Sequence, residues 1–102
     1  FITKPNIGKF KNIYWVVGIL IFKKNLLAKK LSKKLKNVGI QTRPFFYPMN
    51  KQKILKKFLK KSGEKFINSE YISKYGLYLP SYYNLKKKDI YYICNQVNNF
   101  LK

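Results

Sequence analysis

Arg43 is the side chain with the most specific chemistry to offer. It is the only arginine among 23 basic residues, and every other one is lysine. It stands in GIQTRPFFYPMN, residues 39–50, followed by Pro44, Phe45, Phe46, Tyr47, Pro48 and, two residues on, Asn50. A guanidinium is a planar fork that grips a carboxylate or a phosphate by two parallel hydrogen bonds, which a lysine ammonium does not do. Phe45, Phe46 and Tyr47 set large flat aromatic surfaces beside it. Strand alternation places Phe45 and Tyr47 on one side and Phe46 on the other. Asn50 both donates and accepts hydrogen bonds but does not titrate. A plainer reading competes: Arg43 answers a carbonyl or an acid of another domain, and the aromatics are core.

The rest of the composition removes most other chemistries. There is no histidine, one cysteine (Cys94) and three acids, Glu64, Glu70 and Asp89. A disulfide framework, a Cys/His zinc site and a Ser-His-Asp or Cys-His nucleophile are excluded. Three scattered carboxylates do not suggest a paired-carboxylate hydrolase. Cys94 falls on an apolar helix stripe and reads as a small buried hydrophobe.

A net charge of +20 invites a nucleic-acid reading. Against it, Lys, Asn, Ile, Tyr and Phe dominate, whereas Ala and Arg each occur once. That is the residue usage of A/T-rich codons, and it puts lysine on any solvated surface without selection for a partner. Under that bias an arginine that persists marks a place where the fork is needed.

The elements that must position Arg43 follow from periodicity and punctuation. With 102 residues the chain makes one small domain, able to bury roughly 60–65% of its unfolded surface. It begins at Phe1 without a methionine, which points to a piece of a longer protein. Residues 1–10, with Pro5 and Gly8, read as a linker. The run IYWVVGILIF, residues 13–22, is half the ~20 residues of a membrane helix and rich in β-branched residues, so residues 12–20 read as a central strand. Neither a membrane span nor a secretory leader is expected. Residues 25–37 read as a helix with Leu27, Leu31, Leu35 and Val38 on one stripe, ended by Gly39 in the left-handed region.

IQTRPFF is a second strand stopped by the prolines. Residues 52–61 are a short basic helix with Ile54, Leu55, Phe58 and Leu59 on one side, broken at Ser62-Gly63. NSEYISKYG is another, capped by Asn68 or Ser69, with Glu70 in its first turn and Gly76 at its end. LYLP is a third strand. Residues 87–101 are the last helix, with Ile90, Ile93, Cys94, Val97 and Leu101 on its stripe, Asp89 in its first turn, and Lys86 where a capping Ser or Thr is expected. Tyr14 and Trp15 read as core or domain-interface aromatics, and the Tyr pairs 82–83 and 91–92 as covers for the sheet edge. The order β-α-β-α-α-β-α gives an α+β domain, a small antiparallel or mixed sheet of about three short strands packed by helices.

Four pieces in this order, NIYWVVGIL, VGIQTRPFFYPMNKQ, INSEYISKYGLYLPS and DIYYICNQVNNFL, resemble the C-terminal small domain of the DegT/StrS-type sugar aminotransferases, fold-type-I pyridoxal-phosphate enzymes. The likeness runs from about Asn12 to Leu101. It implies that residues 1–102 are one domain of a homodimeric cytoplasmic enzyme, joined through residues 1–10 to a missing N-terminal large domain. That domain would hold pyridoxal phosphate and the lysine bonded to it, with no covalently bound cofactor and no catalytic residue in this segment.

The resemblance further implies transfer of an amino group, commonly from glutamate, to a keto-sugar nucleotide in lipopolysaccharide or other surface-glycan synthesis. A few members dehydrate instead. It places Arg43, Phe45, Phe46, Tyr47 and Asn50 near the sugar nucleotide or amino donor. This sequence departs from the family where a histidine is usual at Asn50 and a proline at Lys53. The isolated 102-residue chain is expected to be inactive. The rival class is a free-standing basic module binding RNA or another polyanion, which the aromatics favour slightly and the lack of any RNA-binding motif disfavours.

The two classes differ in salt response. Scattered lysines neutralise phosphates without reading bases, so nucleic acid should bind this chain weakly, without sequence preference, and be released by moderate salt. Fluorescence anisotropy with two unrelated oligonucleotides at several salt concentrations measures this. A tight complex that persists at high salt and prefers one sequence would favour the binding-module class.

Overall fold

The computed structural model describes residues 6–8, 10–22, 27–59 and 65–102. In chain order the elements are β1 (Asn6–Ile7), β2 (Phe10–Lys11), β3 (Val17–Leu20), α1 (Ala28–Asn37), β4 (Arg43–Pro44), two 3-10 turns (Met49–Lys51 and Lys53–Leu55), α2 (Lys56–Leu59), α3 (Ile67–Tyr75), β5 (Gly76–Leu79) and α4 (Lys87–Leu101). The class is α+β as expected, and the sheet is antiparallel throughout, with β5 between β3 and β4. β1 and β2 form a small hairpin within and just beyond the lead, turned at Gly8 with φ +62°. The expected break at Ser62-Gly63 and the acid Glu64 lie outside the described residues.

The sheet works by alternation. Leu77 is fully buried, and Ile19 and Leu79 pack on the same core. From the other side that core receives Ala28, Leu31 and Leu35 of α1, Ile93 and Val97 of α4, and Ile21 and Ile40 from the connections. Each buried leucine contributes roughly 1.5–3 kcal/mol. The opposite face of the sheet carries Gly18, Gly76 and Tyr78, and Phe45 lies over it, its ring stacked on Tyr78 at 4.2 Å.

α1 stops as its sequence indicates. Gly39 takes φ +79°, its N–H bonds to Lys36 O at 3.1 Å, and Ile40 N–H reaches back to Leu35 O at 2.9 Å. This pair of bonds satisfies carbonyls that the helix end would leave open, and Ile40 and Leu35 meet in the core, as such an ending favours. The buried stripe is Ala28, Leu31 and Leu35, not one running from Leu27 to Val38. Leu27 precedes the helix in extended backbone, and Val38 has already left it.

Other expectations are corrected. β3 starts at Val17 and is an edge strand, and Ile13 and Trp15 are 84% and 72% exposed. The Tyr14 N–H is held by Asn12 Oδ1 at 2.7 Å, and Tyr14 sits at φ +52°, so the chain turns there rather than extending. Of the basic helix expected over residues 52–61, the described part is one 3-10 turn, Lys53–Leu55, and one α turn, Lys56–Leu59, and Ile54 and Phe58 are exposed. Neither Asn68 nor Ser69 caps α3, which begins one residue earlier from Phe66. Cys94 is exposed, because the buried stripe of α4 runs through Ile93 and Val97, and the next residue along points about 100° away. Tyr82, Tyr83, Tyr91 and Tyr92 are exposed.

Gly76 does not end α3 in a left-handed turn. Its φ is −95°, and β5 starts at once. Glycine is required there by space: a Cβ would strike the Phe45 ring and come within 2.5 Å of the Ile72 carbonyl oxygen. At Gly18 the nearest atoms to an added Cβ are the Phe45 ring and Tyr78, which are side chains. Gly76→Ala should therefore destabilise the domain by about 1–3 kcal/mol, and by more than Gly18→Ala, because a backbone carbonyl does not swing aside. Urea melts of the two variants test the order.

Candidate functional site

The stretch 41–51 is fastened from several sides. Ser32 and Thr42 hydroxyls share a hydrogen bond of 2.8 Å that ties it to α1. Arg43 pairs in register with Tyr78, and Pro44 with Leu77. Paired residues share a face, so Arg43 lies on the side of Tyr78 and Phe45. Pro44 biases Arg43 toward the extended backbone that β4 needs. Arg43 is exposed and forms no ion pair among the described residues. A charged fork at a strand end is thus left available.

Arg43 and Phe46 open into a concavity of about 770 Å³, walled also by Trp15, Tyr78, Tyr82 and Asp89. Phe46 meets Tyr78 edge-on at 5.8 Å. Trp15 is presented by its neighbours: besides the Asn12 bond to the Tyr14 N–H, the Ser81 hydroxyl donates to the Tyr14 carbonyl at 2.6 Å. In a chain whose surface is flooded with lysine, none of the described residues lining this concavity is lysine. Its only charged members are the single arginine and Asp89.

The five expected site residues do not converge on one spot. Arg43 and Phe46 line the first concavity, whereas Tyr47 and Asn50 line a second of about 730 Å³ with Lys51, Lys65, Glu70 and Lys74. Phe45 enters neither lining and fills the space over Gly18 and Gly76. In the second concavity Asn50 Nδ2 donates to Glu70 Oε1 at 2.9 Å, and Lys51 Nζ lies 2.9 Å from Glu70 Oε2. These bonds, from Lys51 first and then Asn50, hold the Glu70 carboxyl below its ordinary value. Sequence reasoning did not reach Trp15, Tyr82 or Asp89 as site walls, or the partnership of Glu70 with Asn50. The single Trp was a signal for the first, whereas pairing across twenty residues left none.

The fold and this edge define a small α+β domain whose sheet is covered by helices on one face and bears an arginine-aromatic segment on the other. The family described as DegT/DnrJ/EryC1/StrS aminotransferases matches residues 2–98, and the chain belongs to that family. No curated protein matches it. Members of such a family generally work with pyridoxal phosphate. The described residues offer no buried lysine, one setting that frees the lone pair of a lysine bonded to a carbonyl cofactor. Among them there is also no cluster of metal-ligating side chains, and no helix is long and apolar enough to cross a membrane.

The Glu70 contacts predict a pH response. A carboxyl whose folded pKa lies below its unfolded value stabilises the fold above the ordinary carboxylate range, and that contribution is lost as pH falls through the lowered value. The Asn50 side-chain amide resonances should titrate with a midpoint below 4.5, and Glu70→Gln should abolish that titration. NMR from pH 7 to 3 measures it.

Proposed function

We propose that this chain is the C-terminal small domain of a homodimeric pyridoxal-phosphate aminotransferase that passes an amino group, from glutamate as donor, to a keto-sugar nucleotide for surface-glycan or lipopolysaccharide synthesis in the cytoplasm. Family membership supports the aminotransferase part of the reading. The observation that carries the role of this domain is the lysine-free concavity with Arg43 at its rim. A composition that puts lysine on almost every solvated surface supplies none to this lining, while the residue with the bidentate fork is kept there. In this reading Arg43 grips a carboxylate or a diphosphate oxygen pair, and Phe46 and Trp15 wall the sugar or base. Phe45 acts from beneath by fixing the segment on the sheet, and Tyr47 and Asn50 form the adjoining wall. The cofactor, its lysine and the choice between amination and dehydration belong to the large domain that residues 1–10 lead from.

Arg43→Lys in the full-length enzyme separates a binding role from a structural one. The charge stays and the fork is lost. The expected result is an unchanged melting temperature and a fall in kcat/KM of about ten- to a hundredfold for one of the two substrates, the worth of one charge-assisted contact. Steady-state kinetics for both amino donor and keto-sugar, beside a thermal melt, measure it. Unchanged kinetics with a lower melting temperature would make Arg43 a structural residue and remove the reading of this concavity.

A further inference from the structure

Carboxylates are scarce in this chain, three against 23 basic residues. Glu70 nevertheless has both oxygens engaged, and by consecutive residues: Asn50 on Oε1 and Lys51 on Oε2, each at 2.9 Å. Both donors belong to the 3-10 turn Met49–Lys51, which closes through Lys51 N–H to Pro48 O at 3.0 Å and continues through Gln52 N–H to Met49 O at 3.1 Å. A half-exposed ion pair contributes little energy by itself. Two bonds from one carboxylate to adjacent residues of one turn do something else: they fix the rotation of that turn. Glu70 is itself held in the first turn of α3, where its N–H bonds to Phe66 O at 3.1 Å and a negative charge is favoured. Pro48, buried at the entry to the turn, restricts it further.

The segment from Arg43 to Lys51 is therefore tied at two ends. At its start β4 is hydrogen-bonded to β5, and Phe45 is seated on the sheet. At its finish the only described side-chain ties that reach another helix are those to Glu70. Between them lie Phe46 and Tyr47, both exposed. With the finish released, the backbone of these two residues loses one of its two fixed ends, and side chains that line both concavities lose their common reference.

We infer that Glu70 is a positioning residue: by receiving Asn50 and Lys51 on one carboxylate it holds the turn Met49–Lys51 against α3, and so sets Phe46 beside Arg43 and Tyr47 on the adjoining wall in the arrangement that meets the ligand. Glu70 touches no ligand in this scheme and acts through Asn50 and Lys51. The inference rests on the reading of the Arg43 segment as a substrate wall.

The experiment compares Glu70→Ala and Glu70→Gln in the full-length protein by hydrogen-deuterium exchange and steady-state kinetics, with Arg43→Lys alongside. In Glu70→Ala the amides of Lys51 and Gln52 should exchange about tenfold faster, while peptides from α1 and α4 keep their rates. The KM of the substrate held by Arg43 should rise about tenfold with kcat little changed, because a loosened wall is re-ordered by the ligand it binds. Glu70→Gln keeps one carbonyl oxygen for Asn50 and should fall between Ala and wild type, which leaves a reading even where the alanine variant folds poorly. Unaltered exchange at residues 48–52 in both variants overturns the inference. Faster exchange with unaltered KM also overturns it. In that case a KM that still rises in Arg43→Lys leaves the substrate-wall reading standing, whereas a KM unmoved in all three variants removes that reading too.

Discussion

The seat of Phe45 is the constraint on which the rest of this domain depends. Its ring stacks on Tyr78 of the central strand and occupies the volume that side chains at Gly18 of β3 and Gly76 of β5 would fill. One side chain thus bridges all three strands on the face opposite the core. Because Phe45 directly follows β4, seating it also fixes where a strand of only two residues must lie. Two backbone pairs are few to hold an edge strand, and the stacked aromatic supplies the burial that they do not. The two glycines lose conformational entropy on folding, and what offsets it is a flat, close contact that any Cβ would prevent.

Arg43 gains its character from the same arrangement. Its alternation with Phe45 puts both on the outer face of the sheet, so the ring beneath supports the strand end from which the guanidinium projects. The composition of the chain sharpens the contrast. Lysine is the default basic residue here and is well suited to solvated helix faces, where a flexible, strongly hydrated point charge costs little. A concavity lined by Trp15, Phe46, Tyr78 and Tyr82 is a different environment. There a planar ion, weakly hydrated and able to lie along aromatic surface, fits where an ammonium would remain tied to water.

The parts of the fold that rest on local rules were legible in the sequence. The end of α1 was written in Gly39 and the apolar Ile40, the first turn of α4 in Asp89, and β5 in LYLP. What escaped depends on neighbours distant in the chain. The run from Ile13 to Val16 has the apolar content of a buried strand, but hydrophobicity does not specify what covers it, and an Asx contact from Asn12 turns the chain there instead. Cys94 missed the core by one residue, a rotation that the spacing of an apolar stripe does not resolve. Gly76 looked like a helix terminator because glycine usually acts through φ, whereas here it acts through volume. The candidate site shows the same division. Arg43 was singled out by its rarity, but the splitting of the five residues between two concavities, and the hold of Glu70 on Asn50, are products of tertiary placement.

β5 shows how the core, eight buried apolar residues among those described, carries such a site. Along four residues it turns Leu77 and Leu79 toward the helices and Gly76 and Tyr78 toward the outer face. Core and candidate site thus share β5, and they meet at Leu79, Ile40 and Ile93, which belong to or pack on the core and also line the concavity. A change at Gly76 acts on both sides at once, because Phe45 on one face and the Ile72 carbonyl at the end of α3 both crowd the same atom. α3 runs into β5 without a connecting residue, so the helix that presents Glu70 and the strand that seats Phe45 form one continuous piece. The two ends of the Arg43 segment are therefore fastened to the same unit, and the distance between them is set by a helix-to-strand junction rather than by the loop itself.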